Sequence, residues 1–208
     1  MGASRGASAT LRTVREGAVL VAVAVLVAFL VKTFVAQAFY IPSPSMVPYL
    51  KINDRIVVSK LSYDLHPVQR GDVVVFKAPP SQQPLQLPDT SPTVVRWLRD
   101  VGTAIGVVAP STEDYVKRVI GLPGDVVEAR GGRVYVNGRL LAEPYLPRGD
   151  LTSDFGPVVV PAGRLWVLGD NRGDSCDSRC FPEGAIPASS VIGRAVVRVW
   201  PFGHLSFL

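Results

Sequence analysis

Two serine hydroxyls stand in a proline-rich stretch at residues 41–50. Ser43 and Ser45 lie on either side of Pro44, and Pro42 and Pro48 flank them. Proline fixes its own φ and biases the residue before it toward extended backbone, so this stretch should be stiff. A rigid backbone can hold a nucleophile without a further ordering cost. The alternative interpretation is a spacer, which is the usual role of such stretches.

A lysine within an apolar strand could be the proton acceptor that a serine nucleophile needs. Lys117 lies in a predicted strand at residues 115–120. A free lysine has a pKa of about 10.4, and burial can lower that pKa by several units. The neutral amine can then take the proton of a serine hydroxyl. In the alternative interpretation, Lys117 is a surface charge that points to solvent.

A polar segment at residues 169–179 is dense in side chains that hydrogen-bond each other and the backbone. An Asx-rich loop and a calcium loop are the alternatives, but the spacing of calcium ligands is incomplete because no acidic residue stands at the closing position. We interpret the segment as a polar scaffold beside the site.

Of the two cysteines of the chain, Cys176 lies in this segment and Cys180 directly follows it. Outside the cytoplasm they could pair, and we expect a structural disulfide. The functional alternative is a redox-sensitive site that restrains Asp177 and Arg179. Two cysteines and two histidines do not offer an ordinary four-ligand metal site, so we expect no metal and no cofactor.

An apolar segment near the N-terminus predicts a membrane anchor at residues 17–39. Residues 17–31 carry no charge, and Lys32 could snorkel to the headgroups. Arg5, Arg12 and Arg15 precede the segment, so residues 1–16 should be cytoplasmic and residues 40–208 extracytoplasmic. A cleaved signal peptide is the alternative, because Ala36 and Ala38 have the spacing of a cleavage site.

The composition favours an exported β domain behind this anchor. Hydrophobic residues make up 48% of the chain and charged residues 19%, and the 19 glycines and 18 prolines favour many turns. The net charge of +5 suits an anionic membrane surface, whereas no basic run indicates nucleic acid. Residues 78–92 should form a loop, and residues 94–109 a surface helix or a partly buried segment.

Short β-strands separated by tight turns are predicted along the rest of the chain. Together they predict a mainly β, antiparallel fold with a small β-hairpin insert at about 126–164. The predicted strands cover residues 52–60, 72–77, 115–120, 126–129, 134–136, 165–168 and 191–200.

Several segments, in the same order along the chain, resemble the characteristic motifs of bacterial type I signal peptidases. The pattern Pro-Ser-x-Ser-Met-x-Pro occupies residues 42–48. Asp-Arg-Ile-Val-Val lies at 54–58, Arg-Gly-Asp-Val-Val-Val-Phe at 70–76, Tyr-Val-Lys-Arg-Val-Ile-Gly-Leu-Pro-Gly-Asp at 115–125, Gly-Asp-Asn-Arg-x-x-Ser-x-Asp-Ser-Arg at 169–179 and Val-Ile-Gly-Arg-Ala at 191–195. One motif would be weak, but the ordered set is very specific.

The resemblance implies a role for each matching residue. Ser45 would be the nucleophile and Lys117 the general base, while the Ser43 hydroxyl and the Ser45 N–H would form the oxyanion hole. Ser175 would orient the lysine amine, and Asp177 and Arg179 would pair and hold their loop. Shallow pockets for small substrate side chains would be lined by Ile41, Pro42, Met46, Leu50, Tyr115 and Val116.

The resemblance also implies a fold, a substrate and a location. The core would be an antiparallel, barrel-like sheet of the signal peptidase type, behind one transmembrane helix. The substrates would be signal peptides of secreted preproteins, cleaved after small-x-small sequences by a monomeric enzyme in the bacterial cytoplasmic membrane. The peptide would bind extended along an exposed strand edge.

Three residues depart from the family pattern, and two other interpretations remain. Pro44 stands where glycine is frequent, Tyr49 replaces a usually small residue, and Asn53 stands where glycine is common, although asparagine tolerates left-handed backbone. The self-cleaving stress-response repressors share the Ser–Lys chemistry, but they carry a helix-turn-helix that is not found here. A non-catalytic, membrane-anchored exported β protein is the alternative from another class.

Overall fold

The computed structural model describes residues 15–27, 35–83 and 114–208. These residues form two α-helices, α1 at residues 15–27 and the short α2 at Ser62–Leu65. The twelve strands are β1 Ala36–Tyr40, β2 Arg55–Ser59, β3 Val73–Lys77, β4 Asp114–Gly121, β5 Val126–Arg130, β6 Arg133–Val136, β7 Arg139–Leu140, β8 Phe155–Val159, β9 Arg164–Leu168, β10 Ile186–Pro187, β11 Val191–Trp200 and β12 Ser206–Phe207.

The strands build two antiparallel sheets. The larger has the order β1-β2-β11-β3-β4-β9-β10, with β12 paired to β11, and the smaller has the order β7-β6-β5-β8. The prediction of a mainly β, antiparallel fold is therefore confirmed. The smaller sheet covers residues 126–159, within the range where the sequence predicts a β insert.

Strand β4 lies inside the larger sheet, between β3 and β9, and its second half anchors it in the core. It pairs with β3 from Asp114 to Arg118 and with β9 from Arg118 onward. Val119 and Ile120 are completely buried, on opposite faces of the strand, in two different apolar clusters. This double anchoring fixes the direction of the preceding residues of β4, including Lys117.

A tight crossing holds the residues that precede β2. The Ile41 N–H donates to the Asp54 carbonyl oxygen at 2.9 Å, and the Asn53 N–H donates to the Ile41 carbonyl oxygen at 3.0 Å. Asn53 takes a φ of 73°, the left-handed geometry that asparagine tolerates better than most residues. The departure from glycine at this position therefore leaves the turn intact.

The N-terminal segment differs from the prediction at its end. Residues 36–39, expected to complete the anchor, belong to β1, which pairs with β2 from Ala36↔Ser59 to Tyr40↔Arg55. An apolar run does not by itself distinguish the end of a helix from a half-buried strand, so the sequence placed this boundary too late. Among the described residues, no helix combines the length and the apolar character needed to cross a bilayer.

One observed strand, β8, is among those that the sequence did not predict, and several predicted segments lie outside the residues that the structure describes. Strand β8 was not predicted, because Gly156 and Pro157 are typical of turns. Residues 28–34 of the predicted anchor, most of the predicted loop at 78–92 and the predicted segment at 94–109 lie outside the described residues.

Candidate active site

Ser45 lies in a single 3-10 turn, Pro44–Met46, whose neighbours anchor it in the core. Met46 is buried in the apolar cluster beneath the turn, together with Ile56, Val73 and Val75. The Val47 N–H donates to the Pro44 carbonyl oxygen at 2.9 Å, which closes the turn. The proline-rich stretch is therefore an ordered turn seated on the core rather than a free spacer.

The structure brings Lys117 to Ser45 across 72 residues of sequence. The Lys117 Nζ lies 2.6 Å from the Ser45 Oγ and also donates to the Val116 carbonyl oxygen at 3.1 Å. The lysine is 2% exposed. The interpretation of Lys117 as a solvent-facing charge is therefore wrong.

Burial lowers the pKa of the Lys117 amine to about 8, because the charged form loses its hydration. The negative charges of Asp177 and Asp170 oppose this shift, and the positive charge of Arg179 adds to it. A substantial fraction of the amine is therefore neutral near physiological pH, and a neutral amine can accept the proton of the hydroxyl beside it.

Ser43 is positioned beside the same hydroxyl. Its Oγ lies 3.2 Å from the Ser45 Oγ, within hydrogen-bond distance. The two hydroxyls and the lysine amine thus form one compact polar cluster. An oxyanion hole requires donors that point to the oxygen of the attacked carbonyl, and a hydroxyl beside the nucleophile lies near that position.

The loop after β9 holds the backbone around Ser45. The Asn171 N–H donates to the Ser45 carbonyl oxygen at 3.0 Å, and the Asn171 side-chain amide donates to the Pro44 carbonyl oxygen at 3.2 Å. Because a peptide unit is planar, fixing the Pro44 carbonyl also fixes the direction of the Ser45 N–H. Gly169 permits the close approach, since a Cβ at this position would lie 2.5 Å from the Ser45 carbonyl oxygen.

Asp177 and Arg179 form a buried ion pair in this loop. The Arg179 guanidinium donates to both carboxylate oxygens, at 2.9 and 2.8 Å, and the Gly169 N–H donates to Asp177 at 3.0 Å. Burial alone would raise the pKa of Asp177, but the hydrogen bonds and charge of Arg179 hold it below its ordinary value. A disulfide between Cys176 and Cys180 spans the pair.

Ser175 does not make the contact expected of it. Within the described residues its buried Oγ makes no hydrogen bond to the Lys117 amine, so no direct contact supports the expected role of orienting that amine. The Oγ instead lies close to Gly169, 2.2 Å from the position that a Cβ on that residue would take. The loop thus places Ser175 against Gly169, which itself packs on the Ser45 carbonyl oxygen.

A second buried ion pair lies next to the lysine. Arg118 donates to Asp170 through Nε at 2.9 Å and Nη2 at 2.6 Å, and through Nη1 to the Gly71 carbonyl oxygen at 2.8 Å. The two aromatic rings of Tyr49 and Tyr145 lie 4.6 and 3.9 Å from the guanidinium carbon. The unusual Tyr49 thus packs on Arg118.

A cleft of about 190 Å³ opens beside the serine and the lysine. It is lined by Ile41, Pro42, Ser43, Ser45, Met46, Asp114, Tyr115, Val116 and Lys117. Leu50 does not line it, because this side chain is completely buried in the core cluster below. The prediction of Leu50 as a pocket residue is therefore wrong, and the apolar side chain instead supports the turn that carries Ser45.

One edge of β4 is open along this cleft. Residues 114–117 pair with β3 on one side, while the pairing with β9 begins only at Arg118. Along these four residues, the part of the chain that the structure describes adds no strand to the other side. An extended peptide could therefore pair with this edge next to Ser45.

Sequence reasoning missed several residues of the site as individual contributors. Gly169 and Asn171 were grouped in a polar scaffold without a stated contact, and Arg118 was not considered as a site residue. Asp114, at the end of the open edge, was not considered as a cleft residue. A glycine and an asparagine that directly follow an apolar strand were the available signal, but their partner in the Pro44 turn could not be read from them.

Comparison with known proteins identifies the family. The model of the family described as signal peptidase, peptidase S26, matches residues 14–200. Signal peptidase I of Mycobacterium tuberculosis (strain ATCC 25618 / H37Rv) is 43% identical over 91% of this chain and 73% of the relative. The identity is 41% for signal peptidase I of Leptolyngbya laminosa, over 93% of this chain and 83% of the relative. It is 35% for that of Bacillus caldolyticus, over 89% and 91%.

The family match and the geometry of the site agree in their chemistry. The matched range includes the serine turn, the buried lysine and the loop at residues 169–179. On these grounds the chain belongs to the signal peptidase family, peptidase S26, and is a serine endopeptidase.

Proposed function

We propose that this chain removes N-terminal signal peptides from exported preproteins, with Ser45 as nucleophile and Lys117 as general base. The observation that carries the proposal is the 2.6 Å contact between the Lys117 Nζ and the Ser45 Oγ in a buried site. The names of the relatives, signal peptidase I, support the choice of substrate.

The proposed reaction follows from the placement of these groups. The neutral Lys117 amine takes the Ser45 proton as the Oγ attacks the scissile carbonyl carbon. The Ser45 N–H and the Ser43 hydroxyl donate to the oxyanion that forms, and such a donor is typically worth about 10²–10³ in rate. The Lys117 ammonium then gives its proton to the leaving amine, and water attacks the acyl-enzyme with Lys117 again as base.

We propose that the substrate binds as an added strand on the open edge of β4. Its backbone would pair with residues 114–117, and its side chains near the scissile bond would enter the cleft beside Ser45. The small volume of about 190 Å³ and the apolar walls suit small side chains such as alanine. These properties support cleavage after small-x-small sequences.

We propose further that an N-terminal anchor places this site at the outer face of the cytoplasmic membrane. Helix α1 exposes most of its large apolar side chains, including Leu20, Val21 and Val25. Because β1 begins at Ala36, the anchor would span residues 17–35, behind cytoplasmic residues 1–16. The monomeric catalytic domain would then begin with β1 at Ala36 rather than at residue 40, and its nucleophile would lie a few residues beyond the bilayer.

Substitution of the two proposed catalytic residues tests the function. Ser45→Ala and Lys117→Met should each abolish preprotein processing while the protein remains folded, because nucleophile and base act as one unit. Ser62→Ala and Lys51→Met are matched controls that should process normally. Unchanged processing by Ser45→Ala would instead favour the non-catalytic exported β protein.

The proposed topology needs a separate experiment. In spheroplasts, added protease should degrade residues after 40 and leave an N-terminal tag protected. Carbonate extraction should leave the protein in the membrane fraction. Release of the intact domain into the soluble fraction with a newly formed N-terminus near residue 39 would instead support the cleaved signal peptide.

A further inference from the structure

A short segment between β7 and β8 of the smaller sheet reaches the loop after β9, residues 169–179, here called the active-site loop. The segment, Glu143 to Tyr145, follows β7 and precedes β8 and belongs to neither sheet. The side chains of Glu143 and Tyr145 do not line the cleft beside Ser45. Their contacts with two buried arginines therefore call for a function other than substrate binding.

Glu143 holds the first of these arginines. Arg172 donates from Nη1 and Nη2 to the two Glu143 carboxylate oxygens, and its side chain is completely buried. The Nε of the same guanidinium donates to the Gly169 carbonyl oxygen at 2.9 Å, and Nη1 donates to the Thr152 hydroxyl at 2.7 Å. Glu143 thus compensates the buried positive charge of Arg172. The bond from Arg172 to the Gly169 carbonyl oxygen fixes the start of the active-site loop.

Tyr145 holds the second arginine. Its ring lies 3.9 Å from the guanidinium carbon of Arg118, and its hydroxyl donates to Glu143 at 2.8 Å. Arg118 is bound through two hydrogen bonds to Asp170, the residue after Gly169, and follows Lys117 directly in β4. The segment therefore touches both the loop that holds Ser45 and the strand that carries Lys117.

We propose that Glu143 and Tyr145 are positioning residues for the Ser45–Lys117 pair. Through Arg172 and Arg118 they fix Gly169 and Asp170, and these residues place Asn171 against the carbonyl groups of Pro44 and Ser45. The smaller sheet thereby contributes to catalysis without contacting substrate. This inference rests on the proposed function, since it concerns the alignment of the proposed nucleophile and base.

Substitutions at Tyr145 and Glu143 test the inference. Tyr145→Leu removes the ring from Arg118, whereas Tyr145→Phe keeps the ring and removes only the hydroxyl. Glu143→Gln keeps the size of the side chain but removes its charge. We expect Tyr145→Leu and Glu143→Gln to lower kcat roughly 10- to 100-fold, because small displacements of reacting groups have effects of this size. KM should stay within about twofold because the cleft is untouched, and Tyr145→Phe should restore most of kcat.

The smaller sheet offers a matched control with the same chemistry. Arg130 lies 3.5 Å from Glu128 and 4.2 Å from the Tyr135 ring, but this pair and stack lie on the surface, with the arginine side chain 60% exposed. Glu128→Gln and Tyr135→Leu should leave kcat and KM unchanged. Equal losses in kcat from these control variants would overturn the inference, because the effect would then come from general weakening of the sheet.

A measurement that does not depend on cleavage separates this inference from the proposed function. Amide hydrogen exchange reports the Asn171 N–H, which is bonded to the Ser45 carbonyl oxygen. The exchange rate of this N–H should be at least about tenfold higher in Tyr145→Leu than in the wild type. If the wild type cleaves no preprotein, the proposed function fails, yet the exchange result still reports whether the segment fixes the loop.

The outcome that overturns the inference is a folded Tyr145→Leu variant with unchanged kcat and unchanged exchange at Asn171. Glu143→Gln leaves Arg172 without its counter-charge and could prevent folding. In that case the comparison of Tyr145→Leu with Tyr145→Phe decides the matter, because both variants keep the Glu143–Arg172 pair. Thermal unfolding above the assay temperature establishes that each compared variant is folded.

Discussion

The backbone N–H of Asn171 donates to the carbonyl oxygen of Ser45 at 3.0 Å, and its side-chain amide holds the carbonyl of Pro44 at 3.2 Å. These bonds fix the peptide units on both sides of the Ser45 Cα. The hydroxyl is thereby directed toward the Lys117 amine, and the N–H is directed away from the Pro44 carbonyl. One residue of the loop after β9 thus orients both the proposed nucleophile and the proposed oxyanion donor.

The rate of cleavage should rise with pH through about 8, with the pKa of Lys117 setting the midpoint. The base is active only when neutral, and burial lowers the pKa of this amine from 10.5 to about 8. The measurement is the pH dependence of kcat/KM on a peptide substrate without ionisable groups near the cleavage site. A midpoint near the ordinary lysine value would contradict the assignment of this buried amine as the base.

Lys117→Met should be more stable to denaturant than the wild type at pH 7, although inactive. The folded-state pKa lies below the unfolded value, so protonated Lys117 destabilises the fold at and below pH 8. We expect a gain of about 1–3 kcal/mol in the free energy of unfolding, from the size of the shift and loss of the hydrogen bonds.

The same linkage predicts how this gain depends on pH. Between about 8 and 10.5 the unfolded wild type binds more protons than the folded state, so the stability of the wild type rises with pH in this window. The advantage of Lys117→Met should therefore shrink from pH 8 to 10.5. Urea unfolding at pH 7, 9 and 10.5 measures it, and a difference independent of pH would show that Lys117 is not titrating at a depressed value.

Gly169→Ala should lower kcat strongly. The added methyl would lie 2.5 Å from the Ser45 carbonyl oxygen and 2.2 Å from the Ser175 Oγ, both well inside contact distance. The serine turn must shift, and we expect a loss of about 10²-fold in kcat. Gly173→Ala in the same loop is the control, because nothing lies within 4 Å of its added Cβ. Equal activities of the two variants would argue against close packing of Gly169 on the nucleophile.

Removal of the disulfide should destabilise the domain modestly while activity persists. The double variant Cys176→Ser and Cys180→Ser opens a loop with a sequence separation of 4, for which the chain-entropy estimate is about 2 kcal/mol. Asp177 and Arg179 retain their direct ion pair, so kcat should fall by less than about tenfold. Urea unfolding and peptide cleavage with and without a thiol reductant measure both effects.

In this test the reductant should lower the stability of the wild type to urea and leave that of the double serine variant unchanged. If reduction of the wild type abolished cleavage without unfolding it, the disulfide would be a redox-sensitive element of the site, the alternative considered from the sequence. A response of the double variant to the reductant would point to a cause other than this bond.

The amino-acid sequence by itself determined the chemistry and most of the framework. Proline around Ser45 restricts the backbone locally, and the alternation of β-branched residues with turn residues marks strands such as β3, β4 and β11, because these preferences act over a few neighbouring residues. The residue types of the serine turn and of residues 115–125 left other interpretations open, and the ordered set of motifs that resembles the signal peptidases indicated a serine nucleophile and a lysine base.

Only the tertiary structure decided which side chains meet and which are removed from water. The Ser45–Lys117 contact spans 72 residues, and the depressed pKa of Lys117 depends on burial by elements distant in sequence. Leu50 and Ile41 are both apolar, close in sequence and part of the same buried core cluster, yet only Ile41 also lines the cleft. Local pattern cannot distinguish them, because burial is a property of the packed elements around a residue rather than of the residue itself.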